Sequence, residues 1–208
     1  MKPDDRGTVS LLAPLRTESA ATGRLATEPW PHLVVDNFLG EEVLARSLAE
    51  IGCDTYNFDI EPRGTGRIEF SLLRSETLWR AIYSRQTIVL LAKAFGVDVK
   101  LDRGNMVQLR RMNEDTPEFP VHNDFTASED SIASFLYLSS GWSESCGGRL
   151  RLFESEKKEA PSASIEPRQN RFVAFQTKPC YWHSVERVHG WERLSALALW
   201  NLKEQARS

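Results

Sequence analysis

The chain lacks most of the features by which a small protein declares its class. Its three cysteines, Cys53, Cys146 and Cys180, are odd in number and widely spaced among 208 residues. No CxxC pair occurs, which excludes the usual zinc knuckle and argues against a disulfide framework. No apolar run approaches the roughly 20 residues needed to cross a bilayer. The N-terminus also lacks the apolar stretch of a secretory leader, so no membrane partner and a cytoplasmic, reducing compartment are expected. Charge of one sign is lacking too: 26 basic side chains stand against 29 acidic ones, a formal net charge of −3. That balance gives no reason to expect nucleic acid as a partner. Gly64-Thr65-Gly66 has no lysine and no following helix, so it does not make a phosphate cradle. There is no internal repeat and no low-complexity run, and oligomeric state has no signature.

What is present suits one compact unit. With 41% hydrophobic and 26% charged residues, the chain can bury a sizeable core, and its length fits one domain. Residues 1–28, rich in Thr, Ala, Ser, Arg and Gly, read as a flexible arm. Residues 29–208 read as the single domain, with its core at about 101–203. A short strand is expected at Leu33–Val35. A helix opens at Gly40-Glu41-Glu42, carries Val43, Leu44, Leu48 and Ile51 on one side, and stops at Gly52. Ile60 to Leu73 holds Pro62, Gly64 and Gly66 and reads as a loop or irregular hairpin. Ser75-Glu76 starts a second helical stretch towards Phe95, broken near Ser84 and stopped by Gly96.

Beyond Val97 the period changes. Strands are expected at Asn105–Met112, Ile132–Leu138, Arg149–Phe153, Ser164–Ile165, Phe172–Gln176, His183–Val188 and Arg193–Leu202. The last is apolar enough for a helix, but its place after a turn at His189-Gly190 favours a buried strand. Helices followed by many short strands predict an α+β fold: a double-stranded β-helix, or jelly roll, with the N-terminal helices packed on one sheet.

The pattern that carries chemistry is His122-Asn123-Asp124, then His183 61 residues on, then Arg193 ten residues further. In a strand, residues i and i+2 share a face, so His122 and Asp124 can both point inward while Asn123 points away. Two imidazoles and one carboxylate are the donor set of non-haem iron(II), with open positions for other ligands. Only His32 and His189 remain as other histidines, and His189 is the alternative third ligand. Arg193 is a natural clamp for the carboxylate of a co-substrate.

The stretch from Asn105 to Leu202 resembles the non-haem iron(II), 2-oxoglutarate-dependent dioxygenases, especially their prolyl-hydroxylase-like branch. The matching pieces are His122-Asn123-Asp124, Phe135-Leu136-Tyr137-Leu138 with Trp142, and Gly147-Gly148-Arg149-Leu150-Arg151-Leu152-Phe153. After these come Pro167 to Asn170, Phe172-Val173-Ala174-Phe175, His183-Ser184-Val185 and Arg193-Leu194-Ser195. Trp30 to Leu39 is similar to that branch's opening run. The resemblance implies that His122, Asp124 and His183 bind iron(II), with 2-oxoglutarate and dioxygen as co-substrates. It implies that Arg193, Ser195 and Tyr137 hold the distal carboxylate of 2-oxoglutarate, and Asn105 and Gln108 are further candidates there. Halogenating relatives carry a small residue in the place of Asp124, so aspartate implies oxygen insertion.

The activity implied is hydroxylation of a C–H bond in an amino-acid-type substrate (free, peptidyl or a biosynthetic intermediate), with release of succinate and carbon dioxide. Desaturation or cyclisation of a small metabolite by the same chemistry, or a non-catalytic metal-binding jelly roll, are the alternatives. One departure concerns the substrate side: Met112 stands where prolyl-type relatives often have tyrosine. Arg110, Arg111, Phe125, Trp142, Arg149 and Arg151 are candidate rim residues. Gly147-Gly148 reads as a tight strand start, and Cys146 and Cys180 as small buried hydrophobes.

Overall fold

The computed structural model describes residues 23–63, 66–100, 106–126 and 131–202. In chain order its elements are β1 (Arg24–Ala26), β2 (His32–Val35), α1 (Glu41–Cys53), β3 (Asp59–Arg63), β4 (Gly66–Leu72), α2 (Glu76–Ile82), α3 (Arg85–Phe95) and β5 (Val99–Lys100). Then follow β6 (Val107–Met112), β7 (Phe119–His122), β8 (Ser131–Tyr137), β9 (Leu150–Phe153), β10 (Ala163–Ile165), β11 (Phe172–Gln176), β12 (Trp182–Val185) and β13 (Arg193–Leu202).

The helices form where polar side chains can close their open ends. Ser75 Oγ accepts a hydrogen bond from the Leu78 amide at 3.1 Å, and Ser84 Oγ accepts one from the Thr87 amide at 3.2 Å. Each serine thus caps a helix start, which is why one apolar stretch becomes α2 and α3. Gly96, at φ 64°, ends α3 in the left-handed region that glycine enters without steric cost.

The strands form two antiparallel sheets among the described residues. The larger runs β1-β2-β11-β8-β13-β6-β4-β3, with β5 beside the end of β13. The smaller runs β10-β9-β12-β7. Alternation along β13 shows how both faces of the larger sheet are covered. Ala196, Ala198 and Trp200 join Ile51, Leu78, Ile82 and Leu91 of the helices in one core. Leu197 points the other way, into a second core shared with Leu150, Leu152 and Ile165 of the smaller sheet. A strand buried on both faces reads as a continuous apolar run, and this explains the helix-like look of Leu194–Trp200. The arrangement is the expected jelly roll with helices on one sheet.

Some expectations need correction. Of the two readings of Ile60–Leu73, loop or irregular hairpin, the pairing is that of a hairpin, with a regular register: β3 and β4 pair from Asp59↔Phe70 to Arg63↔Gly66. Pro62 is tolerated because β3 is an edge strand. The expected arm extends to residue 28, yet Arg24–Ala26 pairs with Val34, Leu33 and His32 of β2; residues 1–22 lie outside the described residues, as does Asn105. The strand expected at His183–Val188 is Trp182–Val185. The strand expected to carry His122 and Asp124, given no bounds because Pro117 and Pro120 interrupt its pattern, is β7 and stops at His122. As the outer strand of the smaller sheet, it can carry Pro120.

Candidate metal centre

His122 and His183 meet across the smaller sheet. They are direct register partners in the pairing of β7 with β12, and their ring centroids lie 4.2 Å apart. Asp124 does not share a strand with His122. β7 ends at His122, and the carboxylate returns from the segment that follows. Its Oδ1 lies 3.6 Å from His122 Nε2 and its Oδ2 lies 3.4 Å from His183 Nε2. One ligand atom from each of the three residues lies within 4.8 Å of the others. The expected trio therefore converges, with Asp124 delivered from just past the strand end rather than from the strand itself.

The backbone sets the tautomer of both imidazoles. His122 Nδ1 lies 2.8 Å from the Pro120 carbonyl and His183 Nδ1 lies 3.1 Å from the Tyr181 carbonyl. A carbonyl only accepts, so each Nδ1 carries the proton and each Nε2 presents a lone pair. Donation of the second ring nitrogen to a carbonyl is the usual support of a metal-binding histidine. Burial works to raise the Asp124 carboxyl; with the two imidazoles protonated at Nε2, as they can be only when no metal occupies those atoms, their hydrogen bonds and charge outweigh it and hold the carboxyl well below the ordinary carboxylate range. An anionic oxygen and two imidazole lone pairs form a donor set that fits iron(II).

Neighbouring rings hold the histidines in place. Trp30 stacks on Tyr181 at 4.8 Å, stands edge-on to His183, and donates its indole N–H to the Phe153 carbonyl at 3.1 Å. The opening run of the domain thus braces the turn that delivers His183. Phe119 stands perpendicular to His122 at 4.4 Å. The alternative ligand His189 lies exposed in the turn before β13 and outside the trio.

A cleft of about 680 Å³ opens beside the trio, between the two sheets. His122, Asp124, His183 and Arg193 line it, together with Phe135, Leu150 and Leu197. Arg193 is 4% exposed. Among the described residues no carboxylate pairs with it, its Nε has no hydrogen-bond partner, and neither has the buried hydroxyl of Tyr137. The guanidinium lies 4.9 Å from the centre of the Tyr137 ring, and its Nη1 reaches Ser195 Oγ at 3.5 Å. A buried cation and a buried phenol left unsatisfied are costly. Together with the Ser195 hydroxyl they form a cradle of donors that fits a carboxylate.

Gly148 lets the cradle close. Its φ is 70°, and a Cβ there would sit 3.3 Å from Arg193 Cδ. Gly147 meets a tighter limit, since a Cβ would lie 2.3 Å from the Arg187 carbonyl oxygen. The expected tight strand start is therefore also a packing surface for the arginine.

The rim candidates divide. Arg110, Arg111 and Phe125 line the cleft, as do Gln108 and Met112. Arg149 and Arg151 instead pair with Glu186 at 3.3 and 2.8 Å, and Trp142 lies against Arg149. Alternation along β9 puts Arg151 on the face opposite the cleft-lining Leu150, and Arg149 and Trp142 are likewise not part of the cleft wall. Cys180 is exposed and Cys146 half-buried, so neither is the buried hydrophobe expected. Sequence reasoning missed Glu69, which is 4% exposed. It is held by Arg67 at 2.9 Å, Arg111 at 3.0 Å and the Thr116 hydroxyl at 3.2 Å. This node ties β4 and β6 to the turn that leads into β7. The only local signal was the Arg67/Glu69 spacing, which gives no hint of the distant Arg111 and Thr116.

Residues 107–201 match the family model described as the 2OG-Fe(II) oxygenase superfamily. The solved structures that the chain resembles include a prolyl 4-hydroxylase from Phytophthora capsici, at 22% identity and TM-score 0.64; the match covers 85% of this chain and 60% of that one. A Pseudomonas putida prolyl-4-hydroxylase matches at 19% identity and TM-score 0.61, covering 84% and 93%. A Trichoplax adhaerens prolyl hydroxylase, solved with a hypoxia inducible factor peptide fragment, matches at 16% identity and TM-score 0.63, covering 83% and 84%. This chain thus spans about three fifths of the Phytophthora protein. At these identities the likeness is one of fold. No curated protein matches the chain.

Proposed function

From the match of residues 107–201 to the 2OG-Fe(II) oxygenase superfamily, we propose that the protein is an oxygenase that uses iron(II), 2-oxoglutarate and dioxygen to hydroxylate a C–H bond of an amino-acid-type substrate. The observation that carries the reading is the pairing of two half-sites in one cleft: the His122, Asp124 and His183 trio, and the buried Arg193, which pairs with no carboxylate among the described residues.

His122 and His183 offer their Nε2 atoms as ligands because their Nδ1 protons are committed to backbone carbonyls. Asp124 supplies the third ligand atom and offsets part of the metal's charge. Arg193, Ser195 and Tyr137 hold the distal carboxylate of 2-oxoglutarate: the guanidinium supplies charge and the two hydroxyls supply directed hydrogen bonds. Phe135, Leu150 and Leu197 keep the inner cleft apolar and exclude water. With iron(II) bound, 2-oxoglutarate and dioxygen are consumed to give succinate and carbon dioxide, and the second oxygen atom enters the substrate as hydroxyl.

A non-catalytic metal module would have no use for a buried guanidinium behind the ligand trio. The prolyl hydroxylases among the structural relatives, one of them bound to a peptide fragment, support an amino-acid-type substrate, free or peptidyl. The test is succinate release by purified protein with iron(II), 2-oxoglutarate and a panel of amino acids and peptides. Replacement of Arg193 by Leu is expected to raise the 2-oxoglutarate requirement about tenfold to a hundredfold, the loss of a charge-assisted hydrogen-bonded pair. An unchanged requirement removes Arg193 from this role.

A further inference from the structure

Resting on the reading of the trio as a metal site, we propose that Asn123 is the positioning residue that holds the Asp124 carboxylate in ligand geometry. Both histidines have support behind them, His122 from the Pro120 carbonyl and His183 from the Tyr181 carbonyl. The Asp124 carboxylate has none: among the described residues its polar partners are the two imidazoles alone. A ligating carboxylate is ordinarily hydrogen-bonded from behind. Its backbone is no better held by the sheet. The strand stops at His122. Among the described residues, no loop or turn bond between backbone groups reaches residues 123–125.

Two bonds from the Asn123 side chain fill that gap. Its Oδ1 accepts a hydrogen bond from the Phe125 amide at 3.2 Å, and its Nδ2 donates one to the Pro179 carbonyl at 3.2 Å. The first bond joins the two residues that flank Asp124, so the carboxylate stands at the apex of a closed hydrogen-bonded ring. A short amide side chain that reaches the backbone two residues on is how asparagine makes such a turn. The second bond tethers the ring to a turn 56 residues away in sequence. The Tyr181 amide closes that turn on the Lys178 carbonyl at 3.1 Å, and the Tyr181 carbonyl orients His183. Asn123 thus spans the two segments that present the ligands.

The chemistry of its partners fixes the amide in one orientation. The Phe125 N–H needs an acceptor and the Pro179 carbonyl needs a donor. A reversed amide would set donor against donor and acceptor against acceptor. Aspartate at this position could make the first bond but not the second.

Cobalt(II), titrated into metal-free protein and followed by its visible absorption, tests this. Asn123→Ala is expected to weaken cobalt(II) binding about tenfold, the lower end of what loss of outer support costs a metal site. Asn123→Ser is expected to fall between the two, because its hydroxyl can still accept from the Phe125 amide but is too short to reach Pro179. The deciding measurement is a cycle with Asp124→Ala. In that background Asn123→Ala is expected to change the affinity by less than about twofold, since the group it acts through is gone. Should the alanine chain not fold, the serine chain carries the same cycle.

An unchanged affinity in Asn123→Ala overturns the proposal. So does an equal fall with and without the Asp124 carboxylate, which assigns the asparagine to the fold or to the histidines. A serine variant as weak as the alanine one overturns the ring, and one as tight as the unaltered protein overturns the tether. If the unaltered protein binds no stoichiometric cobalt(II), the metal reading itself has failed, and the first titration shows this before any variant is compared.

Discussion

The two sheets that enclose the cleft are built to different standards. In the larger, β13 pairs with β8 at seven successive positions and with β6 at six, and the helices cover its far face. In the smaller, β7 is an outer strand whose register with β12 is set at two positions, His183↔His122 and Val185↔Phe119, with an irregularity between them. The proposed carboxylate cradle of Arg193, Ser195 and Tyr137 stands on the first sheet. His122 stands on the second, and Asp124 follows just after it. The comparison teaches a division of labour: the apolar core fixes one half-site, while side-chain bonds and loops must hold the other.

Substitutions on each side can break that division. The largest effect is expected for His122→Ala. It removes a proposed ligand from a strand that contributes little to the core, so stoichiometric iron(II) binding and turnover are expected to be lost while the melting temperature of metal-free protein changes little. Large unfolding in this variant would show that β7 belongs to the core after all.

Trp200→Ala should do the reverse. Trp200 is fully buried and donates to Ser134 Oγ at 2.9 Å, so its loss is expected to cost about 3–5 kcal/mol in urea unfolding. The metal affinity of the folded fraction, read by titration, stays as it was.

Glu69→Gln probes the link between the sheets. Neutralising the node leaves Arg67 and Arg111 without their counter-ion and loosens the turn before β7. Iron(II) affinity is expected to fall about tenfold, the usual cost of removing support behind a ligand. An unaltered affinity would mean that the node serves stability alone.

The smallest effect lies in the helical layer, far from the metal. Thr77 and Ser75 hydrogen bonds to Glu50 outweigh its burial and pull its carboxyl down from 4.5 to about 2. A lowered folded value means the contribution to stability is full above pH 4.5 and is lost as pH falls towards 2. The melting-temperature gap between the protein and Glu50→Gln should therefore be widest above pH 4.5 and close as pH falls towards 2. A gap that is constant with pH would remove this link between α1 and α2.

Much of the larger sheet could be read from the chain because its strands satisfy local rules. β11 and β13 fall on the expected residues, and Ser75, Ser84 and Gly96 punctuate the helices where their chemistry predicts. The convergence of His122, Asp124 and His183 was legible because these residue types are rare in the chain or distinctive in their order. The delivery of Asp124 from beyond β7 was not legible, since a bare HxD looks the same on a strand as at its end. The Glu69 node was hidden for another reason: its partners Arg111 and Thr116 lie more than forty residues away, and no local period links them. Arg149 and Arg151 were misplaced because alternation says that neighbours differ in face but not which face is inner.

One rung of the narrow ladder between β7 and β12 is the histidine pair itself. Cargo and clasp therefore coincide at this margin of the molecule. A bound ion would fasten the very edge that presents it, so loading the protein and ordering its rim become a single event. Iron starvation should then register first as amide exchange along residues 119–122, well before the helical half of the molecule responds.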